Sequence, residues 1–238
     1  MEQLEKLYEG KAKTVFATAN PDEVVMHFKD DATAFNNIKK AKIANKGILS
    51  NAISTILFRM LERAGVRTHY LSTLNERDQL CRKATIIPLE VVVRNVIAGS
   101  MAKRLGVEEG TEPKNTILDI CYKSDELGDP LMNDHHAVAL GLATYEELEE
   151  IYRMARHINE VLKELFGRIN IKLVDFKIEF GKLSDGTMVL ADELSPDTCR
   201  LWDATTGEKL YHDSIRRDLG GVREDYEEIL SRLEQLEA

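Results

Sequence analysis

Hydrophobic and charged residues alternate along the segment from 174 to 180. The apolar positions are Val174, Phe176, Ile178 and Phe180, and the positions between them are Asp175, Lys177 and Glu179. A period of two is typical of a β-strand with one buried face. The pattern therefore predicts a strand whose second face carries an anion, a cation and an anion. Such a face is either a solvated surface or part of a site.

A second strand is predicted directly after this one. Gly181 and the turn at residues 184–186 lead into residues 188–193, so the chain should return beside the first strand. This hairpin would bring Asp192 near Glu179, and two close carboxylates repel each other unless a cation lies between them. Mg²⁺ typically binds one or two carboxylates together with phosphate oxygens. The hairpin thus predicts a magnesium site for a phosphorylated substrate.

The remaining pattern predicts strands and helices in mixed order. β structure is expected over residues 7–40 and 67–97, an amphipathic helix over 47–65, a long helix from 144, and a terminal helix over 223–236. Thr144 and Glu147 have the spacing of a capping box. Regular βαβ alternation is missing, which favours an α+β fold. We expect two lobes, a β-rich one at residues 1–83 and a larger mixed one at 84–238.

Composition narrows the class of protein. The 238 residues carry 41 acidic and 32 basic side chains, a net charge of −9 that disfavours a general nucleic-acid binder. Neither a signal-like apolar run nor a stretch of about 20 apolar residues occurs, so no membrane association is expected. The three cysteines are odd in number and scattered, which argues for a reducing compartment and a cytoplasmic protein.

Two further segments are candidates for phosphate binding. In Gly10-Lys11-Ala12-Lys13 a strand would place both lysines on one face beside a glycine, which suits a polyphosphate, although a solvated strand with lysines explains the segment too. The spacing is not that of a Walker P-loop. Arg94 ends a predicted strand, and a short helix, capped near Ser100, is predicted to follow. That arrangement is either a phosphate pocket or an ordinary strand–turn–helix junction.

A polar loop later in the chain offers another cation. Arg200 lies between Ser195-Pro196-Asp197 and Trp202, and its guanidinium could grip a phosphate or carboxylate with two hydrogen bonds.

Five motifs in order resemble the SAICAR synthetase family, the phosphoribosylaminoimidazole-succinocarboxamide synthases. They are Tyr8-Glu9-Gly10-Lys11-Ala12-Lys13, Ile87-Pro88-Leu89-Glu90-Val91-Val92-Val93-Arg94 with Ala98-Gly99-Ser100, Leu173-Val174-Asp175-Phe176-Lys177-Ile178-Glu179-Phe180-Gly181, Leu194-Ser195-Pro196-Asp197, and Arg200-Leu201-Trp202-Asp203. The similarity runs from about residue 7 to the end. The chain departs from the family at Asn37, where glycine is common, and at Lys42, near which an acidic residue is common.

The resemblance implies a reaction in purine biosynthesis. ATP, L-aspartate and carboxyaminoimidazole ribonucleotide would give the succinocarboxamide, ADP and phosphate, with Mg²⁺ as cofactor. Because a carboxylate does not react with an amine at neutral pH, ATP would convert it to an acyl phosphate that the aspartate amine then attacks. The resemblance also implies an ATP-binding lobe distantly similar to that of protein kinases, and a homodimer.

The same resemblance assigns roles to individual residues. ATP would contact Lys11, Ala12, Lys13, Val15, Lys83 and Ile86, and Mg²⁺ would be held by Glu179 and Asp192. The ribonucleotide would contact Arg94, Ser100, Lys177 and Arg200. Lys177 and Asp175 would be the catalytic residues beside the reacting carboxylate. Two other functions remain open. A small-molecule kinase would use the same lysines and carboxylates, although the chain has no His-Arg-Asp or Asp-Phe-Gly triplet. A nucleotide-sensing module would bind ATP without turnover.

Overall fold

The structure, a computed structural model, describes residues 3–34, 39–210 and 221–236. Asn37, one of the two departures from the family pattern, lies outside these ranges, whereas Lys42 ends a short described strand.

The described residues form fourteen strands and five helices. The strands are β1 Lys6–Glu9, β2 Lys13–Ala17, β3 Glu23–Phe28, β4 Asp31–Ala34, β5 Lys39–Lys42, β6 Tyr70–Thr73, β7 Asp78–Arg82, β8 Thr85–Arg94, β9 Ile117–Tyr122, β10 Leu131–Met132, β11 Ile171–Lys182, β12 Met188–Ala191, β13 Cys199–Asp203 and β14 Lys209–Leu210. The helices are α1 Lys46–Arg63, α2 Gly99–Leu105, α3 Asp134–Ala139, α4 Tyr145–Arg168 and α5 Val222–Glu234.

Two antiparallel sheets dominate the fold. The first has the order β1-β2-β3-β7-β6, and the second has the order β10-β9-β8-β11-β13-β14 with β12 also paired to β11. Strands β4 and β5 form a separate two-stranded antiparallel sheet. All of the first sheet precedes residue 83, and all of the second follows it. The α+β prediction is confirmed.

Strand β11 lies in the middle of the second sheet, hydrogen-bonded to β8 on one side and to β13 and β12 on the other. Phe176, Ile178 and Phe180 pack in the main core, as the alternation predicts. Val174 is buried too, but it packs in a separate cluster with Val96 and Ala98, beside a register shift between Leu173 and Asp175. The charged face is largely buried as well, because Asp175 and Glu179 are only 6% and 2% exposed. Buried carboxylates need compensating partners, so this face is not a solvated surface.

The helices follow their predicted patterns closely. In α4, the side chain of Thr144 accepts a hydrogen bond from the Glu147 N–H, and the Glu147 carboxylate accepts one from the Thr144 N–H, so the capping box is confirmed. Helix α1 packs against α5 as well as α4. The main core therefore joins residues of α1 to those of the second sheet and of α4 and α5. No helix within the described ranges is long and apolar enough to cross a membrane.

Candidate active site

Lys177 is the centre of an ion-pair network on the charged face of β11. Its ammonium group donates hydrogen bonds of 2.8 Å to Glu179 Oε1 and to Glu90 Oε1. These two glutamates are direct partners in the register of β8 and β11, so the sheet itself brings their carboxylates together. Lys177 supplies the positive charge that keeps the two anions close.

Asp192 joins this network from the end of β12. Its Oδ2 lies 3.8 Å from Lys177 Nζ, and its Oδ1 forms an ion pair with Lys13 of β2. Asp192 is not the register partner of Glu179, which is Ala191, but both carboxylates lie within 4.0 Å of Lys177 Nζ, so the structure does bring them near each other. Asp192 lies one residue further on, with a φ of 63°. This left-handed backbone conformation takes Asp192 out of the strand pattern. Its side chain nevertheless reaches the ammonium group of Lys177, to which Glu179 is also bonded.

The lysines set the protonation state of this carboxylate cluster. Burial alone would raise the pKa of Glu179, but the charges of Lys177, Lys123 and Lys13 outweigh burial and lower the pKa to about 2. Burial alone would lower the pKa of Lys177, and Glu179 with Glu90 reverses that effect and raises it. Both groups are therefore charged at neutral pH.

A polar cavity of about 490 Å³ opens onto this network. It is bounded by the glycine-lysine segment at one wall and by the charged face of β11 at another. Its lining includes Gly10, Lys11, Ala12, Lys13, Glu90, Lys123, Lys177, Glu179, Asp192 and Asp197. The structure thus places both predicted lysines in the same cavity as the predicted metal ligands. Lys11 Nζ lies 2.8 Å from Asp125 Oδ1, which belongs to the loop after β9.

A second, more apolar cavity of about 280 Å³ adjoins the first. Val15, Lys83 and Ile86 line it, as does His69. Burial and the charges of Lys13 and Arg82 lower the pKa of His69 to about 3, so this imidazole is neutral. Five residues line both cavities: Tyr8, Lys13, Lys123, Glu179 and Asp192. A ligand with an apolar head and a charged tail could therefore extend from one cavity into the other.

A second cationic cluster surrounds Asp175, two residues before Lys177. Arg94 and Arg200 are its register partners on the two flanking strands. Arg94 Nη1 donates to Asp175 Oδ2 at 3.2 Å, and Arg200 Nη1 donates to the same oxygen. Arg94 Nε also donates to Asp119 Oδ2 at 2.9 Å. The two arginines lie together on the same sheet face as Lys177, and neither lines the two cavities described above.

Ser100 stands apart from this arginine cluster. Helix α2 begins at Gly99 with Ala98 as its N-cap, so the predicted helix start near Ser100 is confirmed, although no side chain caps it. Ser100 is exposed. Its neighbour Gly99 lies against the Arg200 guanidinium, since a Cβ added at Gly99 would come within 2.6 Å of Arg200 Nη2. The backbone at residue 99, rather than the Ser100 side chain, is what contacts the cluster.

Sequence reasoning missed two cationic members of the site. Lys123 follows β9 and forms an ion pair with Glu179. Lys46, at the start of α1, is 1% exposed and forms an ion pair with Asp197, which lines the polar cavity. Both contacts join residues more than 50 positions apart, so no local pattern indicates them. A lysine at the first position of an amphipathic helix reads as a solvated terminus.

An α+β fold with a lysine- and carboxylate-lined cavity at the middle of its larger sheet fits the class of enzymes that handle phosphorylated small molecules. The family model described as SAICAR synthetase matches residues 6–233, and the chain belongs to this family. The resemblance carried by the five motifs is confirmed.

Named relatives agree with the family match. A phosphoribosylaminoimidazole-succinocarboxamide synthase from Clostridium botulinum (strain Eklund 17B / Type B) is 62% identical over 233 residues, which is 98% of this chain and 99% of the relative. The crystal structure of the synthase from Ehrlichia chaffeensis is 51% identical with a TM-score of 0.94, covering 97% of this chain and 98% of that one. A SAICAR synthetase (Type-2) in complex with ADP is 46% identical with a TM-score of 0.92, covering 96% and 97%.

Proposed function

We propose that this protein is an ATP-dependent ligase of purine biosynthesis. It joins L-aspartate to the carboxylate of carboxyaminoimidazole ribonucleotide and releases the succinocarboxamide, ADP and phosphate. The observation that carries this proposal is the identity of 62% to a synthase of that name over 98% of the chain. The ADP complex of a relative 46% identical supports ATP as the co-substrate.

ATP would span the two adjoining cavities. The apolar cavity, with Val15, Lys83 and Ile86 in its lining, suits the adenine. Lys11, Ala12 and Lys13 lie in the polar cavity, where two ammonium groups suit the phosphates. The short distance from Lys11 to Asp125 means that this lysine would exchange a carboxylate for a phosphate on binding.

Mg²⁺ would be held by Glu179 and Asp192. Both carboxylates lie within 4.0 Å of one cationic nitrogen, Lys177 Nζ, so they are close enough together to share a cation. Two carboxylates suit Mg²⁺, which takes few protein ligands and completes its shell with phosphate oxygens and water. When bound, the ion would neutralise charge on the transferred phosphoryl group.

The ribonucleotide phosphate would bind at Arg94 and Arg200, with Ser100 at the rim. Two guanidinium groups side by side suit a phosphate, and Asp175 fixes their positions from below. Because Lys177 follows Asp175 by two residues on the same strand face, its ammonium would lie between the arginine cluster and the metal carboxylates. The substrate carboxylate would be placed there.

The ligation would proceed through an acyl phosphate. The substrate carboxylate attacks the γ-phosphorus of ATP, ADP leaves, and the aspartate amine then displaces phosphate from the acyl carbon. Lys177 would offset the negative charge that builds up on the oxygens during phosphoryl transfer. Asp175, buried between two arginines, would keep its ionic contacts throughout and orient the site.

The remaining expectations extend the same proposal. Residues 1–83 would form a β-rich ATP-binding lobe, distantly similar to that of protein kinases, and residues 84–238 would form a larger lobe. The protein would act as a homodimer in the cytoplasm.

A coupled assay of ADP release tests the proposal. Purified protein is supplied with Mg²⁺, ATP, ribonucleotide and L-aspartate, and each component is omitted in turn. The ligase requires all of them for steady turnover. Steady ADP release without aspartate would support the small-molecule kinase instead, and ATP binding without any turnover would support the sensing module.

A further inference from the structure

Lys123 lies in the candidate site, but the proposed function gives it no role. It follows β9 directly, and its backbone N–H donates a hydrogen bond of 3.0 Å to the carbonyl of Pro88 on β8. That bond anchors the residue to the sheet. From this anchor the side chain reaches Glu179, with which it forms an ion pair. Its backbone is thus fixed, while its long side chain ends at the carboxylate proposed to bind metal.

The three lysines around Glu179 and Asp192 differ in how firmly they are held. Lys177 lies within 4.0 Å of carboxylate oxygens of Glu90, Glu179 and Asp192, and Lys13 lies within that distance of Asp192 and Glu193. Within the described ranges, Lys123 has only Glu179 as an ion-pair partner. Its side chain is 32% exposed, against 29% for Lys177 and 12% for Lys13, so the number of ion-pair partners is what separates it from Lys177. Lys123 is therefore the cation of this group that can change partners at least cost.

Lys123 also lies where a nucleotide would pass from one cavity to the other. It lines both the apolar and the polar cavity, together with Lys13, Glu179 and Asp192. A ligand whose base fills the apolar cavity must carry its first phosphates past this junction. A divalent ion taken up by Glu179 would repel the ammonium group of Lys123, since like charges a few ångströms apart repel. A phosphate at the junction would offer that ammonium a new anionic partner.

We propose that Lys123 is a phosphate-binding residue for the nucleoside polyphosphate, which it contacts after leaving Glu179. The proposal rests on the proposed use of ATP and adds a residue from the loop after β9 to the cations of the glycine-lysine segment. It differs from a structural role, in which Lys123 would only neutralise Glu179. A phosphate-binding role requires the variant to lose affinity for ligands with phosphates and to keep its affinity for the nucleoside.

Isothermal titration calorimetry of ADP and adenosine separates the two roles without turnover. For Lys123→Met, the affinity for ADP should fall ten- to a hundredfold, as expected for one charge-assisted contact, while the affinity for adenosine stays within twofold. Lys123→Arg should keep most of the ADP affinity. Lys182→Met is the matched control, because Lys182 pairs with Glu147 on the surface outside both cavities. Equal affinities for ADP in Lys123→Met and wild type would overturn the proposal, as would an equal loss for ADP and adenosine.

A second measurement uses the wild-type protein and does not depend on a variant that folds. Acetylation of lysines with an N-hydroxysuccinimide ester, read by mass spectrometry, should be slowed at Lys123 by ADP and not by adenosine. Equal acetylation of Lys123 with and without saturating ADP would overturn the inference. If the wild type binds neither ADP nor ATP, the proposed function itself fails, and that result is distinct from a failure at Lys123 alone.

Discussion

Asp175 and Arg94 are direct cross-strand neighbours, and the Arg94 guanidinium donates a hydrogen bond of 3.2 Å to Asp175 Oδ2. Arg200 approaches the same oxygen from the opposite strand. Asp175 is 6% exposed and both arginines are buried as well. One buried carboxylate thus holds two guanidinium groups side by side, the pair that would bind the phosphate in the proposed function.

Replacing that carboxylate should destabilise the fold. Asp175→Asn leaves two buried guanidinium groups without their shared anion, and breaking a buried ion pair in this way typically costs about 3–5 kcal/mol. Urea unfolding followed by circular dichroism measures the loss. Asp22→Asn, an exposed position in a turn, is the matched control and should change stability by less than about 0.5 kcal/mol. A loss below about 1 kcal/mol for Asp175→Asn would contradict the role of this cluster.

Removing one of the two guanidinium groups should affect a single substrate. Arg94→Ala should raise the KM for the ribonucleotide roughly ten- to a hundredfold, because one charge-assisted contact contributes about 1.5–3 kcal/mol, and should leave the KM for ATP nearly unchanged. Steady-state kinetics with each substrate varied provides the test. Arg104→Ala is the control, since Arg104 also bonds to Asp119, at 3.3 Å, but is 39% exposed. An equal rise in both KM values would place Arg94 in the ATP site.

Neutralising either proposed metal ligand should change the response to Mg²⁺. Glu179→Gln and Asp192→Asn should each shift the Mg²⁺ concentration for half-maximal turnover upward by about tenfold or more, because a carboxylate ligand is replaced by a neutral amide. Turnover is measured across a Mg²⁺ series at saturating ATP. Asp185→Asn, in the exposed turn of the same hairpin, should respond like the wild type. If both site variants respond to Mg²⁺ like the wild type, neither Glu179 nor Asp192 is a metal ligand.

The neutral imidazole of His69 should make stability depend on pH. Its pKa is about 3 in the folded protein and 6.5 in its ordinary state, so between these values the unfolded chain binds one more proton than the folded one. Stability should therefore fall as the pH drops from 6.5 toward 3, by at most about 1.4 kcal/mol per pH unit from this group.

The difference between wild type and His69→Gln isolates this contribution. The variant should show a shallower loss of stability over the same interval, measured as the free energy of unfolding in urea at several pH values. His157→Gln, on the exposed side of α4, serves as the control for replacing a histidine by glutamine. Parallel curves for wild type and His69→Gln would show that His69 takes up its proton without unfolding.

An oxygen label tests the activation of the carboxylate by ATP. With ¹⁸O in the substrate carboxylate, one labelled oxygen should leave with phosphate, because the phosphorylated oxygen departs when aspartate attacks. Mass spectrometry of the released phosphate detects it, and phosphate free of label would reject the activation. Rapid quench without aspartate then tests the order of steps, since an acid-labile phosphorylated substrate accumulates only if phosphorylation comes first.

Local patterns predicted the elements that depend on neighbouring residues. The alternation along residues 174–180 is enough to predict β11, and the spacing of Thr144 and Glu147 is enough to predict the start of α4. Both features rest on contacts within a few positions of each other, which is where periodicity and capping act.

The parts of the site that the sequence did not predict depend on contacts between distant residues or on an unusual backbone conformation. Lys123 reaches Glu179 across 56 positions, and Lys46 reaches Asp197 across 151. A left-handed φ at Asp192 displaces its side chain from the strand alternation, and an aspartate there gives no signal as clear as glycine would. The close approach of Gly99 to Arg200 likewise becomes visible only when β13 is placed beside β11.

The placement of β11 has a consequence for how this protein can change over evolutionary time. One strand face carries Asp175 and Glu179, which serve different ligands in the proposed function, at a separation fixed by the strand rise of about 3.3 Å per residue. The strand therefore fixes the distance between the two ligand sites. Inserting or deleting a single residue between them would turn one set of charges into the core. Substrates of a different length would have to be accommodated by changes in the surrounding loops, while β11 stays the same.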